Sequence, residues 1–190
     1  MKQKVFIILA LIYSVQFVVS CCPSKTFEQT ITGVSTRTLQ LDTNGFSFIE
    51  VNDQQSIDKE DLIIEVLLDG TSIQVGSLMK EVRKLGMQSA YAAIDCEDAT
   101  IVYVNSVQNV EIVAIDANNI ETDVTNDLVI QGGTQSIADY IGNNIISVFD
   151  GFVVEFNDVT NLSAQAEFRI TATLDDNTVL EITTNQVNFN

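Results

Sequence analysis

The stretch Ala166-Glu167-Phe168-Arg169-Ile170-Thr171-Ala172-Thr173-Leu174 decides the fold class. Apolar residues occupy every second position, and polar or charged residues fill the gaps. Side chains of a strand alternate between its two faces, so this pattern makes a strand with one buried face. Asp175-Asp176-Asn177 follows, residues whose short polar side chains bond nearby backbone and tolerate left-handed conformations. The segment Thr178 to Thr184 then returns with Leu180 and Ile182 on one face, which completes a predicted hairpin. Gln186 to Asn190 alternates again, with Val187 and Phe189 inward.

Similar patterns extend upstream. Phe152, Val154 and Phe156 alternate against Val153, Glu155 and Asn157. Leu62, Ile64, Val66 and Leu68 share one face, with Ile63 and Leu67 on the other, so this strand is expected to be central and covered on both sides. Asp69-Gly70 is expected to end it in a turn. Ile101 to Val104, Val110 to Ile115, Thr30 to Leu41 and Phe46 to Val51 add further strands. A helix is expected from the Ser77 cap to Gly86, with Leu78, Val82 and Leu85 on one face. Its basic residues Lys80, Arg83 and Lys84 read either as solvated helix charges or as a small anion patch. A second short helix is expected over Ser136 to Ile141. About eight short strands with little helix give an all-β chain, a two-layer immunoglobulin-like β-sandwich with one or two short helices. The chain has no tryptophan, so the match to that class is one of architecture.

The N-terminus reads as an address. Lys2 and Lys4 precede the apolar run Val5 to Val19, which is short for a membrane span of roughly 20 residues. The run ends in Val18-Val19-Ser20-Cys21, and this arrangement resembles a bacterial lipoprotein signal with its lipobox. The resemblance implies a signal helix over 1–20 and a mature chain starting at Cys21. That cysteine would carry a thioether-linked diacylglycerol and an acylated amino group. Residues 21–29 read as a lipidated tether and 30–190 as a single β-sandwich domain. The alternative is an ordinary secretory signal that ends at a cysteine. Cys22-Pro23 follows with no aspartate, which favours the outer membrane, facing the periplasm.

Composition limits the chemistry. The formal charge of −17 becomes −19 once Lys2 and Lys4 are removed with the signal, which disfavours nucleic acid and anionic head groups as partners. Histidine is absent, which removes Ser-His-Asp and Cys-His nucleophilic sites and the usual zinc sets. With 26 acidic residues, no single carboxylate pair is informative. In an oxidising envelope Cys22 and Cys96 are expected to pair; the alternative is a free Cys22 and a buried, unpaired Cys96. Calcium is the leading small ligand, with Asp116, Asn118, Glu121 and Asp123 as hard oxygen donors. Asp175, Asp176 and Asn177 read as a second metal loop or, more simply, as the hairpin turn. Glycan binding would use exposed aromatics, for which Tyr91, Tyr103 and Tyr140 are the candidates.

Two stretches carry a family resemblance. One is Ser89-Ala90-Tyr91-Ala92, followed by Cys96, Ile112 and Asp123-Val124-Thr125-Asn126-Asp127-Leu128. The other is Phe168 to Asp176 with Leu180 to Thr184. Together with the lipobox these are similar to a lipoprotein family of Bacteroidota known as a domain of unknown function. In this chain Ala93-Ile94-Asp95 lengthens the spacing before Cys96. The resemblance implies the address and the fold and supplies no mechanism. The expected function is therefore a lipid-anchored, non-enzymatic envelope protein acting through contacts with an unknown envelope protein. A lipoprotein that binds calcium or a glycan is the alternative. Strand addition at Val187 to Phe189 is one expected mode of contact.

Overall fold

The structure is a computed structural model and describes residues 25–42, 47–75 and 99–190. The chain divides into two compact units, one of residues 1–28 and 73–102, the other of residues 29–72 and 103–190. The second unit holds most of the strands described below; residues 25–28, 73–75 and 99–102, which also lie in strands, belong to the first.

Twelve strands are described: β1 (Lys25–Leu41), β2 (Phe48–Glu50), β3 (Ser56–Ile57), β4 (Leu62–Val75), β5 (Ala99–Tyr103), β6 (Val107–Asp116), β7 (Glu121–Asp123), β8 (Leu128–Ile130), β9 (Gly151–Phe156), β10 (Gln165–Leu174), β11 (Val179–Thr183) and β12 (Val187–Phe189). One sheet runs β2-β1-β4-β9-β8, with β5 also pairing with β1. The other runs β3-β12-β10-β6-β7, with β11 also pairing with β10. The fold is thus an all-β, two-layer sandwich.

The decisive stretch forms β10 as its alternation requires. Ala166, Phe168, Ile170, Ala172 and Leu174 are all buried, and β6 runs antiparallel to it from Ala166↔Asp116 to Leu174↔Val107. On the facing sheet Leu62, Ile64, Val66 and Leu68 of β4 and Phe152 and Val154 of β9 enter the same core. Each large side chain so buried contributes about 1.5–3 kcal/mol. The Phe156 and Phe168 rings, one from each sheet, lie 5.8 Å apart in a tilted arrangement that joins the layers.

One short helix, α1 (Ile137–Asn143), agrees with the expectation over Ser136 to Ile141. The Ser136 hydroxyl caps it by accepting the Asp139 N–H at 3.1 Å, and Ile137 and Ile141, one turn apart, face the core. The helix expected over Ser77 to Gly86, with Lys80, Arg83 and Lys84, lies outside the described residues.

Three expectations are revised. Asp69-Gly70 does not end a strand, because β4 continues to Val75. Gly70 serves close packing instead: a Cβ there would collide with the Thr30 carbonyl oxygen and the Val148 Cγ2 methyl. Strand β12 is not an edge, since β10 flanks it on one side and β3 pairs in parallel on the other. And β1 already begins at Lys25, inside the stretch read as a tether.

Candidate functional site

The sandwich has two poles. At one, β6 turns into β7, and here lie the four residues considered for calcium. Asp116 organises the turn. Its Oδ1 accepts the N–H groups of Asn118 and Ile120, both at 2.8 Å, and Asn119 sits in the left-handed region at φ 60°. These bonds, led by the one from Ile120, hold the Asp116 carboxyl below the usual aspartate range. Glu121 points elsewhere. Its two carboxylate oxygens accept from both terminal nitrogens of Arg169 on β10, at 2.8 and 2.6 Å. This fork lowers the Glu121 pKa and raises that of Arg169. Asp123 Oδ1 accepts the Thr125 N–H at 2.9 Å.

The structure therefore brings Asp116 and Asn118 together and sends Glu121 and Asp123 to separate tasks. Among the described residues no group of three or more acidic, cysteine or histidine side chains gathers as a metal shell. A shallow groove of about 220 Å³ lies beside the turn, bordered by Asp116, Ile120, Thr122, Asn161 and Ser163. Asp116 is its one ionisable border residue, and that carboxylate is committed to the turn.

At the opposite pole lies the Asp175-Asp176-Asn177 turn. Asp175 accepts the N–H and hydroxyl of Ser106 at 3.1 and 3.0 Å. Asp176 accepts the Thr178 N–H at 2.8 Å and the Asn105 side-chain amide at 3.3 Å. The Thr178 N–H is the leading reason that its carboxyl titrates low. Asn177 takes φ 65°, as a turn asparagine can. The two carboxylates are thus engaged by the turn and by the Asn105-Ser106 segment, and Asn177 supplies the left-handed turn position.

The same pole carries a feature absent from the sequence reading. Between α1 and β9 the segment Ile145-Ile146-Ser147-Val148-Phe149 buries Ile146 and Val148 and exposes Ile145 and Phe149. Phe149 holds φ 66°, a backbone region that a bulky L-residue rarely enters. The loop is fixed there by Phe149 N–H to Leu68 O and Leu68 N–H to Asp150 O, both 3.0 Å, while Asp150 Oδ2 accepts from Ser147 N–H and hydroxyl at 2.9 and 2.7 Å. The signal available in sequence was four large apolar residues within five positions, too many for an ordinary loop.

Of the tyrosines, Tyr140 is half-buried against Phe152, its ring centroid 6.2 Å away, and Tyr103 is exposed. Tyr91 lies outside the described residues, as do Cys21, Cys22 and Cys96. In place of β12, β11 presents an edge: among the described residues it pairs with β10 alone. Neither a protein-family model nor a curated protein matches the chain.

Proposed function

We propose that the chain is a lipid-anchored, non-enzymatic protein of a bacterial cell envelope, held in the outer membrane facing the periplasm, and that it acts through protein contacts. The observation that carries this reading is Val18-Val19-Ser20-Cys21 at the end of a basic and then apolar segment. Its similarity to a lipobox, with the similarity of later stretches to a Bacteroidota lipoprotein family, gives the address.

The non-enzymatic reading rests on the chain's lack of histidine and on carboxylates engaged in turns and ion pairs. The five-residue edge strand β11 is the natural place for a partner strand to add. The alternative of a calcium-binding lipoprotein gains nothing from the acidic turn, where Glu121 and Asp123 have other partners. Replacing Cys21 by Ala tests the anchor: the variant is expected in the soluble fraction, and retention in membranes sinks the reading. Crosslinking on intact envelopes, followed by mass spectrometry of the adducts, tests the second half. A discrete protein partner is the expected result.

A further inference from the structure

We infer that the free edge of β11 accepts an extended segment of another protein, a strand apolar on one face and cationic on the other, with Lys or Arg set beside Glu181. This rests on the reading that the chain acts through protein contacts, and it names the chemistry of the partner.

The edge is open in a specific way. Thr178 O accepts from the Leu174 N–H and the Thr184 N–H donates to Phe168 O, both at 2.9 Å, so the even-numbered residues of this strand turn their backbone groups toward β10. Backbone groups of an antiparallel strand alternate in direction. Val179, Glu181 and Thr183 therefore aim their N–H and C=O groups away from β10, and among the described residues these groups have no partner. Exposed edges are commonly blunted by proline, lysine, a bulge or a covering segment. Strand β11 contains neither proline nor lysine, and its register with β10 runs unbroken from Arg169↔Thr183 to Thr173↔Val179. Its single charge is Glu181.

Side chains set the pattern of the partner. Leu180 and Ile182 face the core and are only half-buried against it. A strand laid along β11 completes their cover with apolar side chains at every second position. The opposite face is acidic. Alternation places Glu111, Glu121, Glu167 and Glu181 there, with Arg169 as the one cation of β6, β7, β10 and β11. Arg169 is held by both carboxylate oxygens of Glu121 and stands 4.0 Å from Glu181, whose side chain stays 59% exposed. A cation opposite Glu181 on an added strand supplies the cross-strand pair that β11 lacks on that side.

The same charges oppose a second copy as the occupant. Strand β11 laid antiparallel on its own copy over all five residues sets Glu181 opposite Glu181, and like charges directly opposite are destabilising. The formal charge of −17 adds to that repulsion.

The probe is a short fluorescent peptide of alternating Lys and Val. It is compared with the same peptide carrying Glu for Lys, and with one of the same composition in which Lys and Val are grouped in blocks. Binding to the full-length protein is read by anisotropy. The alternating Lys peptide is expected to bind about tenfold tighter than the other two, and Glu181→Lys is expected to reverse the order of the Lys and Glu peptides. Thr183→Pro removes an outward N–H at an edge position where proline is tolerated, and it is expected to weaken binding about tenfold with the melting temperature kept. Hydrogen exchange at the Val179, Glu181 and Thr183 amides, slowed only when the Lys peptide is present, gives the same answer should the proline variant fail to fold. Equal binding of the three peptides, full binding by a folded Thr183→Pro, or unchanged exchange at those amides overturns the inference. If a discrete envelope adduct then maps outside β11, the contact reading stands without it. No peptide binding and no adduct remove both.

Discussion

Asn105 serves Ile31 as a strand partner would: its side-chain Oδ1 accepts the Ile31 N–H at 2.8 Å, and its Nδ2 donates to the Ile31 carbonyl at 3.2 Å. Asn105 is buried, and the same Nδ2 reaches Asp176 on the turn between β10 and β11. One amide thus completes the ladder of β1 and ties the first sheet to the second. Replacing Asn105 by Ala leaves a buried N–H and C=O unpaired and is expected to cost about 1–3 kcal/mol. Asn105→Asp is expected to cost at least as much, because a carboxylate cannot donate to the Ile31 carbonyl and faces Asp176. Urea denaturation of both variants checks this; an unchanged midpoint would show that the pairing is dispensable.

Gly70→Ala is expected to destabilise by about 1–3 kcal/mol, the usual cost of overpacking a filled site. The new methyl meets the Thr30 carbonyl oxygen, which is backbone and cannot swing aside. Gly151→Ala should behave alike, its Cβ falling 2.6 Å from the Val66 carbonyl oxygen. Gly142, where a Cβ meets nothing within 4 Å, is the control and should accept alanine at no such cost. Thermal melting of the three variants ranks them.

Phe168 is fully buried and packs in a tilted arrangement across the layers against Phe156. Phe168→Ala is expected to cost about 3–5 kcal/mol through lost burial and the cavity left behind. Thr171→Ala on the outer face of the same strand should stay within about 0.5 kcal/mol. Equal losses at the two positions would mean that the alternation of β10 does not define its buried face.

Acid should loosen both poles. Asp116, Glu121, Asp158 and Asp176 titrate below their ordinary range, held respectively by the Ile120 N–H, the Arg169 guanidinium, the Thr160 hydroxyl and the Thr178 N–H. A depressed pKa in the folded state adds stability that is fully present above the unfolded value, roughly 4 for a carboxyl, and that is lost as pH falls through the folded value. Denaturant midpoints should hold steady from neutral pH down to about 5 and drop below about 4. Asp116→Asn keeps an acceptor for the turn without the titration, so its acid drop should be shallower. A steeper drop would contradict the assignment of Asp116.

How much of this was legible beforehand depends on length of pattern. Strand β10 buries every second residue from Ala166 to Leu174, β4 does so from Leu62 to Leu68 with Ile63 buried as well, and β9 buries Phe152 and Val154; periodicity alone exposed these inner faces. Strand β3 is only two residues long, too short for any period, so its parallel pairing with β12 was invisible and Val187 to Phe189 looked like a free edge. Asp69-Gly70 has the composition of a turn, but Gly70 answers to a neighbouring strand that local sequence does not contain. The acidic stretch from Asp116 to Asp123 could be read for donor type and not for direction. The turn at Asp116 and the fork to Arg169, 48 positions away, consume those donors. Ile145 and Phe149 stood in a run broken only by Ser147, which gives no regular phase from which exposure can be inferred.

The parallel pairing of β12 with β3 has a consequence for how the molecule is made. Ser56 and Asn190, joined by a side-chain hydrogen bond, are 134 positions apart, and Asn188 and Phe189 register with Ser56 and Ile57. Closing so long a loop precedes any reward from the contacts it brings, so assembly should be slow. On a ribosome, β3 waits with an unfilled flank until residues 187–189 emerge. Until then Val187 and Phe189 are missing from the core, and a chain halted before them should remain open to chaperones and proteases.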